Sequence, residues 1–333
     1  MGTPVKIAFV FNRKTNDSLE QAEFDSDETV EAIVGALRCG GHHVDLVEMP
    51  LDDSRPALIE ALLRKKPEIV FNTAEGYTGV ARESFGPSVF EELGLPFVGT
   101  GSQGCLLTLD KEQTKRVATG VGVRIVPGVL VREPSDIDNA EKLVFPLFVK
   151  PNYEGSSKGI TLRSVVKTPA ELKAVGTESL ARYPEGILVE EFVPGRDVGV
   201  PYIAGLGDDG VLEPVEYVLK NVRSEEERIY DYDRKNVDEN SLECVCPALV
   251  SAEQRMGMIS AMKRLVPALG VHDFARADFR VSPSGDVYFL EVNALPSLQR
   301  GAGIFDSAAR LGLSYEAAIL KILEAGMKRY GFT

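Results

Sequence analysis

Strand alternates with helix through the first hundred residues, and this narrows the fold more than any other feature of the chain. Val5 to Phe11 (VKIAFVF) is a short apolar run between polar flanks, the pattern of a strand buried on both faces of a parallel sheet. A polar loop, Asn12 to Phe24, leads to Asp27-Glu28-Thr29. There a helix opens with apolar positions at Val30, Ile33, Val34 and Leu37, and it closes at Gly40-Gly41. Val44 to Val47 reads as a second strand, Arg55 to Arg64 as a helix, Glu68 to Asn72 (EIVFN) as a third strand and Ser84 to Leu93 as a further helix. Phe97 to Gly101 then leaves the sheet. Such alternation requires right-handed crossovers and a parallel sheet. Ligands collect at the carboxyl ends of its strands, here Asn12 to Glu23 and Thr73 to Gly79. No G-x-G-x-x-G follows the first strand, which argues against a dinucleotide cofactor.

Helical pattern resumes at Asp110 and runs through Ala118 and Val121 to Gly122. Phe145 to Lys150 (FPLFVK) is a strand ending in lysine, and Pro151 to Gly159 (PNYEGSSKG) joins it to a returning strand, Ile160 to Val166. A Walker loop joins strand to helix and has a different form, so this is not one. Its glycines and hydroxyls can still fold backbone N–H groups around an anion, with Lys150 as a point charge beside them. Taken alone, it is a glycine-rich hairpin, a feature more often structural than functional. Pro169 to Leu180 is a helix, Gly186 to Phe192 (GILVEEF) a strand, Val193 to Asp197 a turn, and Val198 to Ile203 and Val211 to Val218 two more strands. Ser224 to Ser241 is charged and poor in aliphatic residues, and its Tyr230-Asp231-Tyr232-Asp233-Arg234-Lys235 reads as a lid that orders over ligand. Ser251 to Leu269 and Tyr315 to Tyr330 are amphipathic helices, and Pro296 to Gly303 is a loop.

A second constraint lies at Phe274 to Leu298. Ala275 to Val281 alternates small or apolar residues with Arg276, Asp278 and Arg280. Ser282 to Asp286 (SPSGD) supplies turn residues and Val287 to Val292 resumes an apolar run, so the segment reads as a β-hairpin. On adjoining strands Asp278 and Glu291 can face one side, with Asn293 two residues further on and Arg276 beside them. Two carboxylates and an amide oxygen, with no Cys or His nearby, suit a hard cation such as Mg²⁺. Alone, the same face is also what a solvated hairpin presents.

The 333 residues suffice for two or three compact units, and an apolar content of 44% provides for sizeable cores. A formal charge of −13 argues against a general nucleic-acid or anionic-membrane surface while leaving room for local phosphate sites. With no basic-then-apolar leader and no apolar run approaching ~20 residues, a soluble cytoplasmic protein is expected. Cys39 near a helix end, Cys105 in a Gly-rich turn region, and Cys244 and Cys246 on one strand face make neither a metal nor a disulfide framework. Buried free thiols are expected. His42, His43 and His272 show no ligand pattern.

With the Gly-Ser loop, the Glu190-Glu191 strand and the hairpin taken in order, the chain resembles the ATP-grasp superfamily, and within it the D-alanine–D-alanine ligase group. Asp110-Lys111 resembles that group's lysine near the nucleotide phosphates, and Phe148-Val149-Lys150-Pro151 its second phosphate lysine. Glu154 to Gly159 (EGSSKG) looks like the mobile loop that closes on the triphosphate, which implies nucleotide contacts for Glu154, Gly155, Ser156 and Ser157. Glu190, Glu191, Phe192 and Val193 resemble the strand that holds adenine, and Asp197 the acid at the ribose. Tyr230-Asp231-Tyr232 with Lys235 looks like the second closing loop, whose lysine reaches phosphate. Arg276, Asp278, Glu291 and Asn293 match the group's Arg, Asp, Glu and Asn in type and spacing.

The resemblance implies an α/β chain with an N-terminal parallel-sheet (Rossmann-like) domain over residues 1–107. An ATP-grasp fold of two α+β subdomains follows: 108–194 with the Gly-Ser loop, and 195–333 with the metal and catalytic site. It implies ATP, and two Mg²⁺ ions on Asp278, Glu291 and Asn293, replaceable by Mn²⁺. Small-molecule carboxylate and amine substrates are implied, and a homodimer is the group's habit. Arg276, Lys235 and Ser156 would be catalytic. ATP would phosphorylate a carboxylate, an amine would attack the acyl phosphate, and Arg276 would stabilise the oxyanion.

Departures gather at the substrate. Where the group has a Gly-Gly-rich segment and a glutamate for the first alanine's amine, Asn12 to Asn16 stands instead, with Glu23 as a substitute. The group's His-Gly is replaced by Asn72 to Gly76, which brings in Glu75. The serine-containing segment that grips a carboxylate becomes Leu295 to Gly303, where Arg300 and Gly301 are the substitutes. The expected function is an ADP-forming carboxylate–amine ligase acting on amino acids, a peptide or a related metabolite. D-alanine–D-alanine ligation itself is one alternative, and a nucleotide-binding regulatory module without turnover is another.

Overall fold

The computed structural model describes residues 3–50, 54–220 and 242–332. Strands β1 (Lys6–Phe11), β2 (His43–Glu48), β3 (Ile69–Asn72) and β4 (Phe97–Val98) alternate with helices α1 (Asp27–Cys39), α2 (Arg55–Lys65) and α3 (Arg82–Glu92). All four strands are parallel, in the order β2-β1-β3-β4. β1 is apolar from Ile7 to Phe11 because both its faces are covered there. Ile7, Phe9 and Phe11 meet Ile33 and Leu37 of α1 on one side, while Ala8 and Val10 meet Leu58 and Leu62 of α2 and Phe90 of α3 on the other. Phe97-Val98, expected to leave the sheet, pairs with Val70-Phe71 as its edge.

Helix α4 (Ser102–Leu109) occupies the stretch expected as a Gly-rich turn, and α5 (Lys111–Gly120) follows under the cap of Asp110, whose carboxylate accepts from Gln113 N at 3.1 Å. The glycine signal misled there: a Cβ on Gly104 would lie 2.5 Å from Thr100 Cγ2 and 2.8 Å from Gly270 O. That glycine serves close packing and not a turn.

The second sheet is antiparallel. It comprises β5 (Gly128–Val131), β6 (Leu147–Pro151), β7 (Val165–Val166) and β8 (Ile187–Glu191) in the order β5-β8-β6-β7, backed by α6 (Ile137–Ala140) and α7 (Pro169–Arg182). The returning strand expected over Ile160 to Val166 shrinks to β7. Ser164 Oγ accepts from Thr161 N (3.0 Å) and Thr161 Oγ1 from Arg163 N (3.2 Å), and these local bonds wind Leu162–Ser164 into a 3-10 turn.

The third sheet holds β9 (Arg196–Ile203), β10 (Val215–Leu219) and β11 (Leu242–Val245); helix α8 (Ala252–Ala268) precedes β12 (Phe274–Val281) and β13 (Val287–Asn293). Its order is β11-β10-β9-β12-β13, all antiparallel. Arg196 and Asp197, expected in a turn, begin β9 opposite Val281 and Arg280. β10 starts later than expected because Pro214 has no N–H to give a ladder, and Val211 makes only isolated bridges. Beyond the hairpin, the loop from Pro296 runs into an unanticipated helix α9 (Gly303–Ala309), then α10 (Tyr315–Arg329).

Ile319, Ile322 and Leu323 of α10 pack into the same core as β1 and α1, so the last helix of the chain closes the first sheet. Asp273 strengthens this junction by accepting from Gly99 N and from Arg329 Nη2, both at 2.8 Å. All four cysteines are free thiols as expected, but Cys105 alone is buried: Cys39 is exposed, and Cys244 and Cys246 are partly so. Among the described residues, no helix is long and apolar enough to cross a membrane.

Candidate active site

Register fixes the hairpin's polar face. Asp278 pairs directly with Glu291 and Arg276 with Asn293, so all four side chains emerge together, as the alternation of each strand requires. Asp278 takes a two-pronged bond from Arg276, with Nε to Oδ1 at 2.6 Å and Nη2 to Oδ2 at 2.8 Å, and also accepts from Asn293 Nδ2 at 2.8 Å. Lys111, at the start of α5, reaches Glu291 at 3.2 Å. Burial pushes the Glu291 carboxyl upward, but Lys111, Lys150 and Arg276 outweigh it and hold its pKa down at about 2.

A second buried cluster stands on β6, β8 and α5. Glu190 is ion-paired to Lys150 at 2.7 Å and to Lys115, all three side chains being 7% exposed or less. Burial again opposes the charge of Glu190, and the two lysines lower its pKa regardless. Burial together with the neighbouring Lys150 brings Lys115 down to about 8, against the pull of Glu190. Lys150 goes the other way: Glu190 and Glu291 both raise it, and they outweigh burial.

Between the second and third sheets lies a cavity whose lining includes Lys150, Glu191, Phe192, Val193, Asp197 and Asp278. Arg280 organises its far end, pairing with Asp197 at 2.6 Å and donating to Val193 O at 3.0 Å. A second cavity opens toward the carboxyl ends of β1 and β3, where Glu23, Asp25, Glu75 and Glu83 line it. The two cavities share Lys111, Gly155, Ser156, Tyr217, Arg276, Glu291 and Asn293. Over this junction lies the Gly-Ser loop. Ser156 (φ 48°) and Ser157 (φ 58°) hold consecutive left-handed conformations that non-glycine residues rarely adopt.

Most residues singled out from the sequence converge here. Lys111, Lys150, Glu154, Gly155, Ser156, Ser157, Glu190, Glu191, Phe192, Val193, Asp197, Arg276, Asp278, Glu291 and Asn293 line the first cavity, and Glu23, Glu75 and Gly301 the second. Arg300 is not brought in: it is exposed, pairs with Glu316 at 2.6 Å, and lies over the Tyr315 ring at 4.1 Å. Glu23 is already bound, by Arg82 at 3.1 Å and Lys158 at 2.6 Å. Lys235 and the Tyr230-Asp231-Tyr232 segment lie outside the described residues.

Sequence reasoning missed Lys115, Arg82, Glu83, Lys158, Tyr217 and Arg280. Lys115 was findable, four residues after Lys111 and so on its helix face. Arg280 meets Asp197 only through the non-local β9–β12 pairing.

Comparison with known proteins bears on this geometry. A family model described as D-ala D-ala ligase C-terminus matches residues 121–324. A D-alanine–D-alanine ligase of Halalkalibacterium halodurans is 32% identical over 302 residues, covering 90% of this chain and 93% of the relative. The chain belongs to the D-alanine–D-alanine ligase family. A second ligase of that family, from Mannheimia succiniciproducens, is also 32% identical, over 88% of this chain and 90% of its own length. Two crystal structures share the fold: the VanG D-Ala:D-Ser ligase of Enterococcus faecalis (TM-score 0.76, 21% identity, 97% of this chain and 100% of that one) and the Bacillus anthracis D-alanine–D-alanine ligase complexed with ATP (0.74, 18%, 98% of each). As a member of this family the chain is an ATP-grasp, ADP-forming carbon–nitrogen ligase.

Proposed function

We propose that the chain joins the carboxylate of one amino-acid-like substrate to the amine of a second, with ATP in the cavity between the second and third sheets and the substrates in the adjoining one. The observation that carries this reading is the shared wall, where Lys111, Ser156, Arg276, Glu291 and Asn293 face both cavities. A phosphoryl group arriving from one side and a carboxylate from the other meet there. Lys111 and Lys150 would hold phosphate oxygens, and Ser156 and Ser157 would cover them and exclude water from the acyl phosphate. Two of the five N–H donors of Arg276 are bound by Asp278, which fixes the plane of the fork for the developing oxyanion.

The hairpin's donor set fits magnesium. Among the described residues, no three His, Cys, Asp or Glu side chains converge as a metal set. Two carboxylates and one amide are instead the oxygen-only set of a cation that leaves room for phosphate and water. Glu291 is held ionised, and the Asn293 amide, turned over, presents Oδ1 where Nδ2 now meets Asp278. When bound, two Mg²⁺ ions, or Mn²⁺ in their place, supply charge neutralisation at the transferred phosphoryl group. In this reading the protein works in the cytoplasm, where ATP is available, with homodimerisation as the family's expected assembly.

The amine end of the substrate is assigned to Glu75 and Glu83. Glu23 is already occupied by cations of the protein, whereas among the described residues Glu83 has only the Arg82 guanidinium at 4.0 Å. Burial raises Glu83 to about 7 against the opposing Arg82, and burial with the charges of Glu23 and Glu83 raises Glu75 as well. Burial also raises Asp25 to about 7. Glu83 and Asp25 are neutral below that pH and anionic above it, so an ammonium binds better as pH rises. KM for the amino substrate should fall about tenfold between about pH 6 and pH 8, and Glu83→Gln should flatten that profile. A KM constant across the range would remove the assignment.

D-alanyl-D-alanine synthesis is the second reading, favoured by the names of the relatives at 32% identity. Mass spectrometry of products from single and paired D- and L-amino acids decides between them. D-alanine alone giving its dipeptide supports the second reading, and turnover only with other pairs supports the altered pocket.

A further inference from the structure

The geometry points to Lys158 and Arg82 as positioning residues that latch the Gly-Ser loop shut onto Glu23, so that the cover over the nucleotide phosphates is fastened to the wall of the substrate cavity. In the sequence Lys158 closes a Gly-Ser-Ser-Lys run within the loop that resembles the one closing on the triphosphate. Its Nζ lies instead 2.6 Å from Glu23 and 2.6 Å from Glu154. Arg82, at the start of α3, grips both oxygens of Glu23 at 3.1 and 3.2 Å and donates to the backbone carbonyl of Tyr153 at 2.6 Å. The loop is thus held through a side chain at one end and through its main chain at the other. Glu23, Arg82 and Lys158 are between 4% and 9% exposed, so the pairs are poorly screened by solvent.

Close approach supports the same arrangement. A Cβ on Gly155 would stand 2.0 Å from Oε1 of Glu23, a carboxylate held in place by Arg82 at both oxygens and by Lys158 at Oε2. Glycine at that position lets the loop backbone come down on the carboxylate. Gly155 and Ser156 face both cavities, and Glu23 lines the substrate side. Closure over the phosphates is therefore completed by a residue of the substrate wall. A loop fastened this way keeps water from the acyl phosphate until the amine attacks.

This inference rests on the ligase reading for its catalytic consequence but not for its geometry, and two measurements separate the two. The first is hydrogen–deuterium exchange of amides 154–159 in the full chain, without substrates and with a non-hydrolysable ATP analogue. Lys158→Met and Glu23→Gln should speed exchange of the loop by about tenfold or more while strands β12 and β13 stay protected. Lys158→Arg, which can span both carboxylates, should restore it. Unchanged loop exchange in both Lys158→Met and Glu23→Gln overturns the latch, whether or not the protein turns over.

The second is the ratio of ADP released to amide product formed, expected to be one in the wild type. In Lys158→Met that ratio should rise at least about twofold as acyl phosphate is lost to water, with KM for the amine little changed, an outcome a purely structural role does not give. Coupling as tight as in the wild type overturns it. Absence of any amine-dependent ADP release by the wild type removes the ligase reading instead and leaves the exchange result to decide the latch.

Discussion

Arg276→Ala should lower kcat by about 10²–10³-fold while changing nucleotide affinity only slightly, the loss expected when one preorganised donor to an oxyanion is removed. The guanidinium is fixed by its two-pronged bond to Asp278 and lies 5.7 Å from the centroid of the Tyr217 ring. Tyr217 is partly buried, and desolvation pushes its hydroxyl up to about 12, so the ring supports the guanidinium as a neutral phenol. Lysine cannot reproduce a planar fork, and Arg276→Lys should recover little of the rate. Single-turnover rates read the chemical step, and calorimetric titration with an ATP analogue reads binding. Equal losses in both would assign Arg276 to nucleotide binding and remove it from the chemistry.

Glu190→Gln should be the most destabilising change at the site, lowering stability by about 3–5 kcal/mol. Its carboxylate is the shared anion of Lys115 and Lys150, and removing it leaves two lysines buried against one another. The pKa of Glu190 is lowered in the folded protein. Its contribution is therefore fully present at neutral pH, above the ordinary carboxylate range, and is lost progressively as pH falls from that range through the depressed value. The gap in Tm between wild type and variant should persist down to mildly acidic pH and narrow below it. A gap that is small at neutral pH would mean that solvent reaches the cluster and screens the pairs.

How much of this was legible in the sequence depended on whether the signal was local. Binary pattern sufficed for β1, whose apolar run needs cover on both faces, and for the hairpin, where alternation alone brings Asp278, Glu291 and Asn293 to one side. Local side-chain bonds defeated the pattern at Thr161 and Ser164, where an apolar segment that reads as a strand is wound into a turn. Gly104 defeated it differently, since a glycine demanded by close packing looks the same in sequence as one demanded by a turn.

The candidate site divided along the same line. Motif residues close to one another in the chain were found, whereas those depending on long-range meetings were not. Glu23, Arg82 and Lys158 come from three separate elements, and nothing in the sequence around any one of them announces the others. Arg300 shows the converse. An arginine near a binding loop suggested a carboxylate ligand, but Glu316 at the start of α10 takes it at the surface.

The central claim is that a substrate carboxylate is phosphorylated by ATP and then captured by an amine. Substrate labelled with ¹⁸O in that carboxylate, incubated with ATP, Mg²⁺ and the amine, tests this directly by mass spectrometry of the released phosphate. One labelled oxygen should pass to phosphate for each amide bond formed. Amide formation with phosphate free of label would contradict the account, because the carboxylate oxygen would then never have been bonded to phosphorus.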